Sequence, residues 1–236
     1  MLELLKKAVE PVLNLADLFY PRLCLACQEK LVSAETSICI RCDYKLTPTN
    51  YHRINPNPVL ERFWGRVELE HATAAYSFNK GGLLQHLIHQ LKYENKPQIG
   101  LELGKMYGSL LKEVAPYNTV DYIIPVPLHP KKKHLRGYNQ AAMIAKGLAL
   151  SMEKQWSSAY LIRTDDTETQ TKKSRLDRFS NVEHAFGIHK KAALEGKHLL
   201  LVDDVITTGA TLEACAQTLL EVDKVKISLA AIALAN

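Results

Sequence analysis

Residues 199–211 have the sequence LLLVDDVITTGAT. The apolar run at its start predicts a buried strand, and helical spacing of apolar residues begins just after Gly209. Two acids and a polar turn therefore lie between a strand and a helix. In open sheets of alternating strands and helices, ligands bind beyond the carboxyl ends of the strands. We therefore expect a binding site in this stretch.

The stretch offers two kinds of ligand contact. Asp203 and Asp204 can accept hydrogen bonds from a vicinal diol, such as two ribose hydroxyls. The next residues offer hydroxyls and backbone N–H groups at a helix N-terminus, which suits a phosphate dianion: they are Thr207, Thr208, Gly209, Ala210 and Thr211. The pattern predicts a ribose-phosphate site. A strand that ends in an acidic turn with threonine capping is the alternative.

The same residues resemble the 5-phosphoribosyl-1-pyrophosphate (PRPP) motif of the type I phosphoribosyltransferases. The resemblance implies that Asp203 and Asp204 hold the ribose hydroxyls and that residues 207–211 hold the 5′-phosphate. It also implies that Mg²⁺ bridges the ribose hydroxyls and the pyrophosphate, held partly by the ligand itself.

The rest of the chain alternates helical patterns with short apolar runs. Helical spacing is visible at 83–93, 99–114, 140–152 and 211–221. Apolar runs fall at 122–126, 199–202 and 226–234. The alternation predicts an α/β domain with a largely parallel sheet flanked by helices. The resemblance implies that this domain has the type I phosphoribosyltransferase fold. With 47% hydrophobic residues among 236, membrane-spanning and disordered classes are not expected.

Four cysteines form two Cys-x-x-Cys pairs, Cys24 with Cys27 and Cys39 with Cys42. Each pair directs two thiolates at one point, and Zn²⁺ takes four such ligands in a tetrahedron. We predict a structural zinc site of the zinc-ribbon or zinc-finger type. Paired disulfides and a redox role are the alternatives.

The domain organisation is predicted as follows. Residues 1–46 hold an amphipathic helix (1–19) and the zinc module, residues 47–58 form a linker, and residues 59–236 form the phosphoribosyltransferase-like domain. Charges interrupt the first apolar stretch, so no signal peptide is indicated. No segment is long enough to span a bilayer, and we expect a cytoplasmic location.

Two polar segments are rich in basic residues within a chain of net charge +5. Residues 125–140 follow a predicted strand and contain Lys131 and Arg136, whereas residues 161–181 contain Lys173 and Arg175. A cationic loop at a strand end suits a pyrophosphate leaving group, whose developing charge must be stabilised. Solvated surface loops are the alternative for both segments.

Further motifs extend the resemblance over nearly the whole chain. They are the cysteine pairs after FYP (19–21), LKY (91–93), PVPLHP (125–130), RGYNQ (136–140) and the polar segment 161–181. With the acidic pair, these motifs resemble the ComF family of bacterial proteins. That family is linked to natural competence and to the handling of incoming single-stranded DNA in the cytoplasm. The resemblance implies PRPP, single-stranded DNA and competence or DNA-processing proteins as partners.

Two functions follow as hypotheses. The first is an enzyme that displaces pyrophosphate from the ribose with an acceptor that the sequence does not identify. Its catalytic residues would be Asp203, Asp204 and Arg136, and its pyrophosphate contacts Lys131, Arg136, Lys173 and Arg175. The second is a non-catalytic protein that senses PRPP and binds single-stranded DNA.

Residues 71–96 are the candidate hood over the acceptor. They contain His86, His89 and Lys92 near helical spacing. We interpret these three side chains as a solvated helix face, since no base-recognition signature accompanies them.

Overall fold

The computed structural model describes residues 21–164 and 185–235. The chain divides into two compact units, Met1–Leu46 and Thr47–Asn236. The amphipathic helix predicted for residues 1–19 lies outside the described residues, as does most of the polar segment 161–181. Among the described helices, none combines the length and the apolar character needed to cross a bilayer.

The described part of the smaller unit begins with a tight hairpin. Leu23 bridges Lys30 in antiparallel fashion, and the backbone N–H of Cys24 donates to Glu29 O at 2.8 Å. A short helix, α1 (Ile40–Asp43), follows. The hairpin therefore contributes the first Cys-x-x-Cys pair and the start of the helix contributes the second.

The larger unit contains a five-stranded sheet. Its strands are β1 (His71–Phe78), β2 (Tyr122–Pro125), β3 (Gln155–Trp156), β6 (His198–Ile206) and β7 (Lys226–Ala235). They lie in the order β1-β7-β6-β2-β3, and all neighbours are parallel. A separate antiparallel pair joins β4 (Leu161–Arg163) to β5 (Phe186–Ile188). The predicted parallel sheet is confirmed.

Helices flank the sheet. They are α2 (Pro58–Glu61), α3 (Leu83–Tyr93), α4 (Pro97–Leu111), α5 (Pro130–Arg136), α6 (Gln140–Met152) and α7 (Ala210–Leu220). Helices α4 and α6 approach closely at Gly104 and Gly147. A Cβ on Gly104 would lie 2.3 Å from Ile144 O, and one on Gly147 would lie 2.1 Å from Leu101 O. Glycine at both positions is what permits this backbone contact.

The basic segment after β2, predicted from its sequence to be a loop, forms the helix α5. Pro130 occupies its first turn, and the His129 side chain accepts a hydrogen bond from Lys131 N at 3.1 Å. Gly137, with φ of 78°, ends the helix. Because proline, an N-terminal cap and a C-terminal glycine all favour a helix here, local capping outweighs the repulsion between neighbouring lysines.

Residues 47–58, which the sequence analysis treats as a linker, pack along β1 within the larger unit. Thr49 N donates to Ala75 O at 3.0 Å, and Asn57 Nδ2 donates to Ala72 O at 3.0 Å. Asn57 Oδ1 also accepts from Val59 N at 2.9 Å and thereby caps α2. These hydrogen bonds fix the start of the larger unit, while the predicted domain boundaries stay a prediction.

The register of the central strands brings two motifs to one edge of the sheet. Pro125, the last residue of β2, pairs with Val202 of β6. Asp203 follows Val202 directly, and α5 begins a few residues after Pro125. Since the strands are parallel, the acidic pair and the basic helix lie toward the same carboxyl edge.

Candidate functional site

The acidic pair lies inside β6, before the strand ends at Ile206. Asp203 Oδ1 accepts a hydrogen bond from Asp204 N at 2.8 Å, and Asp204 is only 9% exposed. Burial, and then the charge of Asp204, raise the pKa of Asp203 from its ordinary 3.8 to about 7. An ionised Asp203 is therefore poorly solvated, and a bound diol or cation would stabilise it.

Lys92 on α3 pairs with the second acid of this motif. Its Nζ lies 3.0 Å from Asp204 Oδ1, and the two side chains are only 22% and 12% exposed. The interpretation of Lys92 as part of a solvated helix face is therefore wrong. Helical spacing alone could not reveal this contact, because the partner lies on a strand far away in sequence. The LKY motif (91–93) is the sequence signal that connects this lysine with the family resemblance.

The Thr-Thr-Gly loop connects β6 to α7 and forms a small cavity. The cavity has a volume of about 40 Å³ and is lined by Asp203 and by residues 205–212. Gly209 adopts φ of 80° at the helix start, and a Cβ there would lie 2.9 Å from the Phe63 ring. Both the backbone conformation and the space beneath it therefore require glycine.

Two arginines that follow α2 in the chain, Arg62 and Arg66, hold this loop from one side. Arg62 Nη1 donates to Thr207 O, and Arg66 Nη1 donates to Thr208 O at 3.2 Å. In a trans peptide the C=O and the following N–H point in opposite directions. The N–H groups of Thr208 and Gly209 therefore point away from the arginines. Such N–H groups next to a helix N-terminus can form an anion cradle.

Sequence reasoning missed Arg62 and Arg66. Each contacts a residue more than 140 positions further along the chain. No motif in the sequence marks either arginine.

Arg136 lies at the end of α5, beside the end of α3. Its Nη1 donates to Gln140 Oε1 at 3.0 Å, and its guanidinium lies 5.2 Å from the centre of the Tyr93 ring. The Tyr138 hydroxyl donates to Leu91 O and ties the same two segments together. Between them lies a cavity of about 240 Å³, lined by Lys92, Tyr93, Asn95, Leu135 and Arg136.

The other predicted pyrophosphate contacts are placed differently. Lys131 is exposed in the first turn of α5 and forms no ion pair with an acid among the described residues. Lys173 and Arg175 lie outside the described residues. The structure therefore brings together Arg136 and Lys92, and, through Lys92, the acidic pair.

The four cysteines of the smaller unit form a separate cluster. Their sulfur atoms all lie within 4.8 Å of one another, and Cys27 Sγ is 3.7 Å from Cys39 Sγ. A tetrahedral zinc site with bonds of about 2.3 Å requires sulfur separations of about 3.8 Å. Cys24 Sγ also accepts hydrogen bonds from Ala26 N at 3.4 Å and from Cys39 N at 3.3 Å. N–H groups directed at a sulfur stabilise its thiolate form, and the four close sulfur atoms therefore fit Zn²⁺.

Comparisons with known proteins show a family similarity in the larger unit. Residues 139–236 match the family described as the phosphoribosyl transferase domain. This part of the chain contains α6, β6, the Thr-Thr-Gly loop and β7, so it covers the ribose-phosphate motif. This part of the larger unit is therefore similar to a phosphoribosyl transferase domain, and its parallel sheet with flanking helices agrees with that similarity.

Two curated relatives narrow the resemblance. The chain is 35% identical over 142 residues to the DNA utilization protein YhgH of Shigella flexneri, covering 58% of this chain and 61% of that protein. It is 27% identical over 205 residues to the competence protein ComFC of Bacillus subtilis, covering 86% of this chain and 80% of that protein. The match thus spans about three fifths of the first relative's length. The resemblance to the ComF family is confirmed.

Among solved structures, the glutamine PRPP amidotransferase from B. subtilis is similar to this chain. The identity is 19% and the TM-score is 0.40, over 60% of this chain and 30% of that one.

Proposed function

We propose that this chain is a cytoplasmic protein that binds PRPP with Mg²⁺ and transfers its phosphoribosyl group to an acceptor, releasing pyrophosphate. The observation that supports this best is the arrangement at the end of β6. Two carboxylates that suit a ribose diol precede a backbone cradle that suits a phosphate, and Asp203 lines one small cavity together with that cradle. The acceptor is not identified by any residue of the site.

The proposed reaction is a displacement at the anomeric carbon of the ribose. The bond from this carbon to the pyrophosphate oxygen breaks, and its electron pair leaves with pyrophosphate. A lone pair of the acceptor forms the new bond, and the acceptor proton passes to water. Arg136 would stabilise the charge that develops on pyrophosphate, and Asp203 and Asp204 would orient the ribose through its hydroxyls.

The acidic pair fits a divalent cation bound together with the ligand. Oxygen donors are the ligands that Mg²⁺ prefers. The raised pKa of Asp203, caused first by burial and then by Asp204, marks a carboxylate that a nearby cation would stabilise in its ionised form. The chemistry that Mg²⁺ supplies when bound is neutralisation of pyrophosphate charge.

The test is calorimetric titration of the full chain with PRPP and Mg²⁺. We expect saturable binding by the wild type, loss of binding in the Asp203→Ala, Asp204→Ala double variant, and wild-type binding in Asp223→Ala, which changes an exposed acid elsewhere. Circular dichroism would verify that each variant is folded. Binding by the wild type would justify a screen of acceptors for pyrophosphate release. A wild type that does not bind PRPP would refute the proposal.

A second candidate function is single-stranded DNA binding regulated by PRPP, without catalysis. Its support is the surface of α5, where Lys131, Lys132 and Lys133 are all exposed, next to Leu135, which is 82% exposed. Cations on one helix suit a phosphate backbone. The names of the relatives, a DNA utilization protein and a competence protein, agree with this candidate.

Salt dependence distinguishes this candidate from the first. Each phosphate contact contributes about −0.7 to the slope of log affinity against log salt for single strands. Changing the three lysines to glutamine should therefore reduce the slope for an oligonucleotide by up to about 2. The matched control changes three exposed lysines elsewhere: Lys190, Lys191 and Lys224. An equal effect of both triple variants would argue against α5 as the DNA surface.

For the smaller unit, we propose a structural Zn²⁺ ion bound by Cys24, Cys27, Cys39 and Cys42. The proposal is supported by the close sulfur cluster and by the N–H groups that point at Cys24. With four protein ligands, no position is left for a substrate. The ion would stabilise its unit and take no part in chemistry.

A further inference from the structure

The ion pair between Lys92 and Asp204 occupies a carboxylate that the proposed ligand needs. An ammonium 3.0 Å from Asp204 Oδ1 occupies a carboxylate that would have to accept a ribose hydroxyl. Both side chains are mostly buried, and breaking such a pair without replacement is costly. A ligand that takes over Asp204 must therefore offer Lys92 another negative partner.

The cavity beside Lys92 is suited to supply that partner. Lys92 and Arg136 both line it, together with Tyr93, Asn95 and Leu135, and no acid is among its lining residues. Arg136 contacts only a neutral amide oxygen and an aromatic ring in the contacts that the structure describes. Arg136 has no acidic partner in these contacts, and Lys92 would lose its own if a ligand took over Asp204, so the cavity favours an anion.

The hydrogen bonds beside this cavity also favour a bound anion. Gln140 is 2% exposed, and its Oε1 accepts from Arg136. Its Nε2 is buried without a partner among the described residues. The surroundings of this cavity thus offer more hydrogen-bond donors than acceptors, and more positive than negative charge. A volume of about 240 Å³ equals that of roughly eight water molecules, enough for a group of pyrophosphate size.

We propose that Lys92 alternates between two partners: it neutralises Asp204 in the unliganded protein and moves to the pyrophosphate group of the ligand, beside Arg136, when ribose hydroxyls occupy Asp204. This inference rests on the proposed function and adds a cation from α3 to the site. The long, flexible lysine side chain permits the exchange. The backbone of α3 need not move, because Tyr138 and Arg136 hold its end in place.

The test compares three ligands by calorimetry: PRPP with Mg²⁺, inorganic pyrophosphate with Mg²⁺, and ribose 5-phosphate, which has no pyrophosphate. In Lys92→Met, affinity for PRPP and pyrophosphate should fall roughly 10- to 100-fold, the usual range for losing a charged hydrogen bond. Affinity for ribose 5-phosphate should stay unchanged or rise, because Asp204 is then free. Lys96→Met is the matched control, since Lys96 pairs with exposed Glu94 at 3.2 Å.

A second pair of variants tests the inference even if Lys92→Met alone fails to fold. Asp204→Asn should bind pyrophosphate several-fold more tightly than the wild type, because Lys92 is no longer neutralised, and should bind ribose 5-phosphate more weakly. Adding Lys92→Met to Asp204→Asn leaves no unpaired charge and should abolish the gain.

The outcomes separate this inference from the proposed function. If the wild type binds PRPP but Lys92→Met weakens PRPP and ribose 5-phosphate equally, Lys92 only supports the structure and the inference is overturned. Unchanged pyrophosphate affinity in Asp204→Asn would overturn it as well. If the wild type binds none of the three ligands, both proposals are overturned.

Discussion

The acidic pair predicts that the site destabilises the folded protein at neutral pH, and Asp203→Asn tests this. The pKa of Asp203 is raised to about 7 in the folded protein, first by burial and then by the charge of Asp204, whereas an unfolded aspartate titrates near 3.9. Between these values the folded protein holds a proton that the unfolded chain has lost. The free energy of unfolding therefore falls as the pH rises through this window, by up to about 1.4 kcal/mol per pH unit.

The size of this loss in unfolding free energy follows from the pH interval between the unfolded and folded pKa values of Asp203. Over the full interval, about three pH units, the loss would reach roughly 4 kcal/mol, and we expect about 2–3 kcal/mol between pH 5 and pH 8. Asparagine has the same shape and cannot ionise. The difference in unfolding free energy, variant minus wild type, should therefore grow in the variant's favour toward pH 8 and level off above it. Burial lowers the pKa of His52, His71 and His198, but these groups are common to both proteins and cancel.

Urea unfolding followed by tryptophan fluorescence suits this measurement. Both tryptophans, Trp64 and Trp156, lie in the larger unit, so the signal reports on the unit that contains Asp203. Asp223→Asn changes an exposed acid and should shift stability by less than about 0.5 kcal/mol at every pH. A difference curve for Asp203→Asn that is flat, or that grows toward acid pH, would contradict the argument.

Three further predictions concern the loop and the cysteine cluster. In Gly209→Ala, the new Cβ would sit on a left-handed backbone and lie 2.9 Å from a ring, so stability in thermal unfolding should fall by about 2–4 kcal/mol. The control is Gly196→Ala, where φ is 66° and the space is open, and stability there should fall by about 1–2 kcal/mol. Cys42→Ser should reduce zinc content, measured by atomic absorption, from about one ion per chain to well below that; full zinc content would rule out the cluster as the site. Arg62→Met should weaken PRPP binding about 3- to 10-fold by releasing the loop carbonyl, and exposed Arg53→Met should not; equal effects of the two would contradict the positioning role.

Much of the fold could be predicted because its signals are local. The helical patterns at 83–93 and 140–152 coincide with α3 and α6, since each helix buries apolar residues at helical spacing. The capping side chain of Asn139, which accepts from Ala141 N at 3.0 Å, is part of that signal for α6.

The strand β1 and the helix α5 were not predicted, because small or charged residues give them no clear hydrophobic pattern. β1 has the sequence HATAAYSF, whose alanines give little hydrophobic contrast, yet pairing with β7 buries it. The segment that forms α5 was interpreted as a loop from its lysines. Its helix depends on His129 and Gly137, which stabilise the two ends without any apolar stripe between them.

The residues of the candidate site also divide into those that the sequence could predict and those that it could not. Residues 203–211 could be predicted as a site from sequence because they belong to one strand, one turn and one helix start that follow each other directly in the chain. Lys92, Arg62 and Arg66 could not, because each reaches the motif from another element and its role exists only after the sheet has formed.

These added cations change how the site is understood. From sequence, two bare carboxylates stand beside a phosphate cradle. In the structure, one carboxylate is paired with Lys92, the other has its pKa raised by burial and by its neighbour, and Arg136 lines a second cavity that has no acid among its lining residues. A ligand with a diol at one end and a strong anion at the other would relieve each of these unfavourable states at once. Neither ribose 5-phosphate nor pyrophosphate alone would do so. The electrostatics of the site therefore favour a ligand that joins both groups in one molecule, which is the chemistry of PRPP.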